Sequence, residues 1–160
     1  MARVADPAEL ARTLLGRWQI CGTTFNYWRT PTRLRPTVEY EIVKSSPLEL
    51  LETNRYTRTD KGEREFVCHS QWKGDHFVWQ IPDEPQLDSA FVVSDTPATT
   101  DIIAVHFGNS GQGDSWVNIL AHENLKPEEV RTLVARDTYS FELTADEFWR
   151  LTWLHTTDAA

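Results

Sequence analysis

Residues 48–81 read LELLETNRYTRTDKGEREFVCHSQWKGDHFVWQI, and the punctuation of this stretch decides the fold class. Three runs rich in β-branched and aromatic residues, Leu48–Arg58, Arg64–Lys73 and His76–Ile81, are separated by Asp60-Lys61-Gly62 and Lys73-Gly74-Asp75. Glycine accepts the positive backbone angles of tight turns, and aspartate hydrogen-bonds its own turn backbone. Separators this short leave no room for a crossover helix, so consecutive strands pair antiparallel. Along the middle run, Phe66, Cys68, Ser70 and Trp72 alternate with Val67, His69, Gln71 and Lys73. The first set is the more apolar and is expected to face inward. The same rule turns Phe77, Trp79 and Ile81 inward from the following strand, and Val38, Tyr40 and Ile42 from an earlier one.

The rhythm continues on both sides. Upstream lie Trp18–Trp28 and Thr37–Val43; downstream lie Ala90–Ser94, Asp101–Phe107 and Ser115–Ala121, with turns at Ser45-Ser46-Pro47 and across 108–113. The expectation is all-β: an eight-stranded antiparallel up-and-down β-barrel. Closure removes the exposed edges and leaves an interior about the size of one small ligand. A short N-terminal helix precedes it, capped by Asp6 with Pro7 and Glu9, presenting Leu10, Leu14 and Leu15, and ended by Gly16. C-terminal helical segments follow, one from Pro127 with Val130, Leu133 and Val134. The other opens at the capping box Thr144-Ala145-Asp146-Glu147, with Phe148, Leu151 and Trp153 placed to pack on the barrel wall. No repeat or linker interrupts residues 1–160, which read as a single domain.

Composition narrows the function classes. A chain of 160 residues can bury roughly 70% of its unfolded surface. Seven Trp, seven Phe and four Tyr beside one Met supply rigid surfaces for a core or a pocket. A net charge of −8 argues against nucleic acid as a partner, because phosphate binding needs a basic face. No apolar run approaches the ~20 residues of a membrane span. The opening Met1-Ala2-Arg3-Val4-Ala5-Asp6 lacks the apolar stretch of an export signal, which points to a cytoplasmic location. Cys21 and Cys68 fall on different faces of different strands and are expected as free thiols. No metal-ligand spacing is present and no cofactor is expected. No nucleophile elbow occurs, and nothing ties the five His to a Ser or Cys, so no catalytic residue is identified.

Several short motifs then stand in a telling order: Gly16-Arg17-Trp18, Val38-Glu39-Tyr40, Asn54 with Gly62, and Thr100-Asp101 before Ile102–Phe107. Trp116-Val117-Asn118-Ile119-Leu120 followed by Leu125–Val130 completes the set. Over roughly residues 8–135 the chain resembles the lipocalins of the calycin superfamily, in particular bacterial lipocalin-like proteins. The resemblance implies that Trp18 plugs the closed end. It implies a partner in the form of a small hydrophobic ligand: a fatty acid, isoprenoid or polyketide-like molecule held in the barrel. The alternative it implies is a biosynthetic enzyme on the same fold, a cyclase or isomerase that folds a hydrophobic substrate in the barrel. One departure stands out: where the family stacks an Arg over the first-strand indole, this chain offers His122.

The expected ligand contacts are Tyr40, Phe66, Cys68, Trp72, Phe77 and Trp79 from the alternation. Tyr56 and His106 join them as polar candidates, beside Tyr27, Asn26 and Asn118. Loop 29–36 carries Arg29, Arg33 and Arg35 and no acid, a basic rim that could draw an anionic guest to the mouth. Asp83, Glu84 and Asp88, from the loop expected at the same mouth, could neutralise it.

Overall fold

A computed structural model describes residues 6–80, 89–93, 101–108 and 115–154. Helix α1 (Pro7–Leu14) is capped by the Asp6 carboxylate, which accepts from the Ala8 amide at 3.1 Å. Eight strands follow: β1 (Gly16–Thr23), β2 (Arg33–Ser45), β3 (Leu48–Arg58), β4 (Gly62–Trp72), β5 (Phe77–Gln80), β6 (Ser89–Val93), β7 (Ile102–Gly108) and β8 (Ser115–Ala121). Each pairs antiparallel with the next, and β1 pairs with both β8 and β2, which closes the barrel. The eight-stranded antiparallel meander read from the sequence is the architecture observed. Among the described residues, no helix is long and apolar enough to cross a membrane.

Four details depart from the sequence reading. Strand β2 begins at Arg33, so the second half of the expected loop 29–36 is strand. Strand β1 stops at Thr23, because the Trp28 amide donates to the Phe25 carbonyl at 3.1 Å and turns the chain back over the mouth. A ninth strand, β9 (Thr152–Trp153), follows helices α2 (Pro127–Arg136) and α3 (Ala145–Arg150) and pairs with Gly22 and Thr23 of β1. Gly22 makes that approach possible, since a Cβ there would meet the Trp153 ring at 3.1 Å. Finally, Ile42 is not interior but 40% exposed. The β1–β2 pairing ends at Gly16 opposite Tyr40, so beyond that point β2 keeps β3 on one side and has no strand on the other among the described residues. Ile81, the other residue of that inward set, lies outside the described residues.

The apolar side chains form two layers separated by the barrel wall. The interior layer includes Trp18, Ile20, Trp28, Val38, Tyr40, Leu50, Cys68, Phe77, Trp79, Ile103, Val105, Phe107 and Leu120. The outer layer packs Cys21, Ile102, Ala104, Val117, Ile119 and Ala121 under Val130 and Val134 of α2 and under Phe141, Leu143 and Leu151. Phe148 and Trp153 join that layer from the C-terminal segment, as their spacing suggested. The two cysteines are free and sit in different layers.

Trp18 closes the floor. It is fully buried, its Nε1–H donates to the Leu14 carbonyl at 2.8 Å, and the His122 ring stacks on it at 3.8 Å with planes 20° apart. An imidazole thus performs the stacking that a guanidinium performs elsewhere.

Candidate functional site

The strand register gathers one polar cluster in the interior. Tyr40, Glu52 and Cys68 stand directly opposite one another across β2, β3 and β4. One row toward the mouth come Val38, Asn54 and Phe66; one row toward the floor, Leu50 and Ser70, with Trp79 opposite Ser70 on β5. Glu52 is only 3% exposed. Its Oε2 accepts two hydrogen bonds, from the Asn54 amide at 2.9 Å and the Trp79 indole N–H at 2.7 Å. The Tyr40 hydroxyl and the Cys68 thiol turn toward the same carboxyl. Its other oxygen, Oε1, has no hydrogen-bond partner, and neither does Ser70 Oγ.

Burial raises the Glu52 pKa, and the donors from Asn54, Trp79, Tyr40 and Cys68 only partly oppose that rise. The Tyr40 phenol and the Cys68 thiol are pushed up as well, chiefly by burial and then by the facing carboxyl. Burial therefore shifts Glu52 toward the neutral acid, while the uncharged donors that face it pull the other way.

From this cluster a continuous aromatic surface leads to the mouth. Trp79 meets Phe107 edge-on at 5.9 Å, Phe107 stacks on Trp116 at 5.0 Å, and Trp116 stacks on Phe25 at 4.5 Å. On the other side of the mouth, Tyr27 meets Trp28 and Phe66 edge-on, and its hydroxyl donates to that of Tyr56 at 3.2 Å. Burial, followed by the Tyr56 hydrogen bond, pushes the Tyr27 phenol up to about 12.

Six of the sequence-derived candidates, Tyr40, Phe66, Cys68, Trp72, Phe77 and Trp79, come together in the interior layer, with Tyr56 at its mouth-side edge. His106 does not join them. It shares the outer face of β7 with Ile102 and Ala104, and its Nε2 lies 3.0 Å from the Phe141 carbonyl, under the C-terminal segment. Asn118 is buried on the inner side and is engaged by the Thr23 hydroxyl at 2.6 Å, whereas Asn26 is exposed on the turn.

The expected basic rim is dispersed. The Arg33 guanidinium lies 3.9 Å over the Tyr27 ring and donates to the Tyr27 carbonyl, and Arg29 donates to the Thr24 carbonyl. Arg35, at φ +50°, lines a groove on the outer wall with Arg17, Arg55 and Glu65. Asp83, Glu84 and Asp88 lie outside the described residues. Among the described residues, no three His, Cys, Asp or Glu side chains are grouped so as to hold a metal ion.

Sequence reasoning turned Ser70 inward without naming it a site residue, and missed Glu52 and Asn54. The signal was present in β3, where Glu52 and Asn54 share the parity of the buried Leu48 and Leu50. Two acceptor-rich side chains on the apolar parity of a barrel strand mark a site.

With this geometry the class of protein is defined: the chain has the lipocalin fold. No family model and no curated protein matches its sequence. The likeness to solved structures lies in the fold. Lobster apocrustacyanin A1 superposes with a TM-score of 0.65 at 13% identity, over 99% of this chain and 91% of that one. The siderocalin Ex-FABP gives 0.60 at 12% identity, over 92% and 97%. The cockroach allergen Per a 4 gives 0.61 at 12% identity, over 90% and 86%.

Proposed function

We propose that this chain binds a small, mostly apolar molecule inside its barrel. The observation that carries the reading is the aromatic surface running from Phe25 and Trp116 at the mouth through Phe107 to Trp79, where it ends on a hydrogen-bonded carboxyl. Ring faces of this kind take up lipophilic guests with little loss of side-chain entropy, and the few polar groups set orientation. The siderocalin Ex-FABP, similar in fold, is described as functioning through dual ligand specificities. Fatty-acid, isoprenoid and polyketide-like skeletons fit an enclosure of this character, with Trp28 folded over its entrance.

A guest present at about 100 times its dissociation constant stabilises the fold by about 2.7 kcal/mol. For a domain of this size the melting temperature then rises by roughly 5–10 °C. Trp79 emission should shift with it. A chemically broad lipophile panel that moves neither quantity would sink the reading.

A second reading, a cyclase or isomerase on the same fold, is favoured by one observation. Glu52 is a buried acid with an unpartnered oxygen, as a general acid awaiting a substrate would be. Mass-spectrometric detection of a rearranged product after incubation with a flexible polyunsaturated substrate distinguishes turnover from storage. Recovery of unchanged substrate alone counts against the enzyme.

A further inference from the structure

We propose that the inner half of the barrel contains a polar subsite in which Glu52 and Ser70 receive the uncharged oxygen end, a carbonyl or hydroxyl, of an otherwise apolar guest. This rests on the interior-binding reading above and specifies the chemistry of the guest's leading end.

Two buried polar atoms without partners lie on one interior face: Glu52 Oε1 and, diagonally across the β3–β4 pair, Ser70 Oγ. Burying such an atom unpaired costs about 1–3 kcal/mol, so two neighbours left open call for a missing partner. The pattern of bonds says which kind. Oε2 already accepts two N–H donors, so it acts as the carbonyl-type oxygen of the acid. In the neutral form the proton therefore sits on Oε1, which becomes a donor lacking an acceptor. Ser70 adds a hydroxyl that can both give and accept.

The groups presented to Glu52 are all uncharged: Tyr40 from β2, Asn54 from its own strand β3, Cys68 from β4 and Trp79 from β5. An oxygen with free lone pairs completes the pair. A carboxylate would compete for the same donors as Glu52, and an amine would need Glu52 ionised in a water-poor enclosure. Ketones, esters and alcohols fit the subsite; anions and cations do not.

The test uses four probes of matched chain length, undecane, 2-undecanone, undecanoate and undecylamine, titrated by tryptophan emission against the full-length protein. The ketone is expected to bind about tenfold more tightly than the alkane, the size of one good hydrogen bond. Glu52→Leu should erase that preference, read as the ratio of ketone to alkane affinity within the variant. Glu52→Gln should keep most of it, because an amide N–H replaces the acid proton.

If Glu52→Leu does not fold, Ser70→Ala carries the same comparison and should narrow the ketone-to-alkane ratio. Equal binding of ketone and alkane by the native protein overturns the subsite and leaves interior binding standing. Tightest binding of the amine, lost in Glu52→Gln, overturns it in favour of a carboxylate that holds cations. Failure of all four probes removes interior binding, and the subsite with it.

Discussion

The two buried layers, one inside the barrel and one between its wall and the C-terminal helices, are built from different materials. The outer layer is mostly aliphatic: Ala104, Ala121, Ile102, Ile119, Val117, Val130 and Val134 pack together, with Phe141, Phe148 and Trp153 beside them. Its polar neighbour Gln19 is satisfied, since Nε2 donates to the His122 and Leu125 carbonyls at 3.1 and 2.6 Å. The interior is dominated by large rings and contains a carboxyl, an amide and a hydroxyl, with two polar atoms left open. The polar groups are thus treated differently: Gln19 beside the first layer is bonded, while Glu52 and Ser70 of the second each leave one atom open.

That contrast can be broken experimentally. The largest effect is expected at Trp18, which anchors the interior floor: Trp18→Ala should cost about 3–5 kcal/mol in denaturant melts. A loss below ~1 kcal/mol would mean the floor does not depend on this ring. Ile119→Ala in the outer layer should cost about 2–5 kcal/mol yet leave lipophile affinity unchanged. A matching fall in affinity would dissolve the division between the layers.

Gly22→Ala forces a methyl against the Trp153 ring and should cost about 1–3 kcal/mol, with β9 released first. Hydrogen exchange at the Leu154 amide, which donates to the Cys21 carbonyl at 2.7 Å, reports that release. Unchanged exchange there would show that β9 accommodates the added methyl.

Glu52 supplies a subtler test, through pH. Its native pKa is raised above the ordinary carboxylate value of about 4.3, so over that interval the folded chain keeps a proton the unfolded chain has lost. Stability from this group is full below the unfolded value, falls as pH rises toward the native value, and is flat beyond. Urea midpoints of the native protein relative to Glu52→Gln should follow that curve, and a difference independent of pH would contradict a neutral Glu52. The smallest expected effect is no reaction at all. Burial pushes Cys21 up to about 12 and Cys68 higher, so neither thiol should be alkylated before unfolding. Rapid native labelling of Cys68 alone would reveal an open interior.

How legible this was depended on contrast. Strands β3 and β8 have the bounds the turns imply, because glycine, aspartate and proline mark their ends plainly. The inward set Phe66, Cys68, Trp72, Phe77 and Trp79 followed from alternation, since their neighbours Val67, His69, Gln71 and Val78 are on average more polar. His106 could not be placed this way. Ile102, Ile103, Ala104 and Val105 are apolar on both faces of β7, and a strand covered on both sides offers no pattern to separate inside from outside. Glu52 was hidden for the opposite reason: a carboxylate counts as surface until the parity of its neighbours is counted. Strand β9 carries no signal of its own in two residues, and its place is set by the bare backbone of Gly22 far upstream.

The seam along β1 has a consequence for how the chain is made. The partners of this strand are residues 37–40, 118–121 and 152–153, so the first strand synthesised is among the last to be completed. Contacts so distant in sequence close slowly, because the loop entropy is spent before any pairing offsets it. A nascent chain halted before Ser115 holds β1 against β2 alone, with its other edge bare beside the unpaired edge of β7. Those two edges are templates for another chain, and the interval between them and closure is when this protein most needs to be kept apart from its own copies.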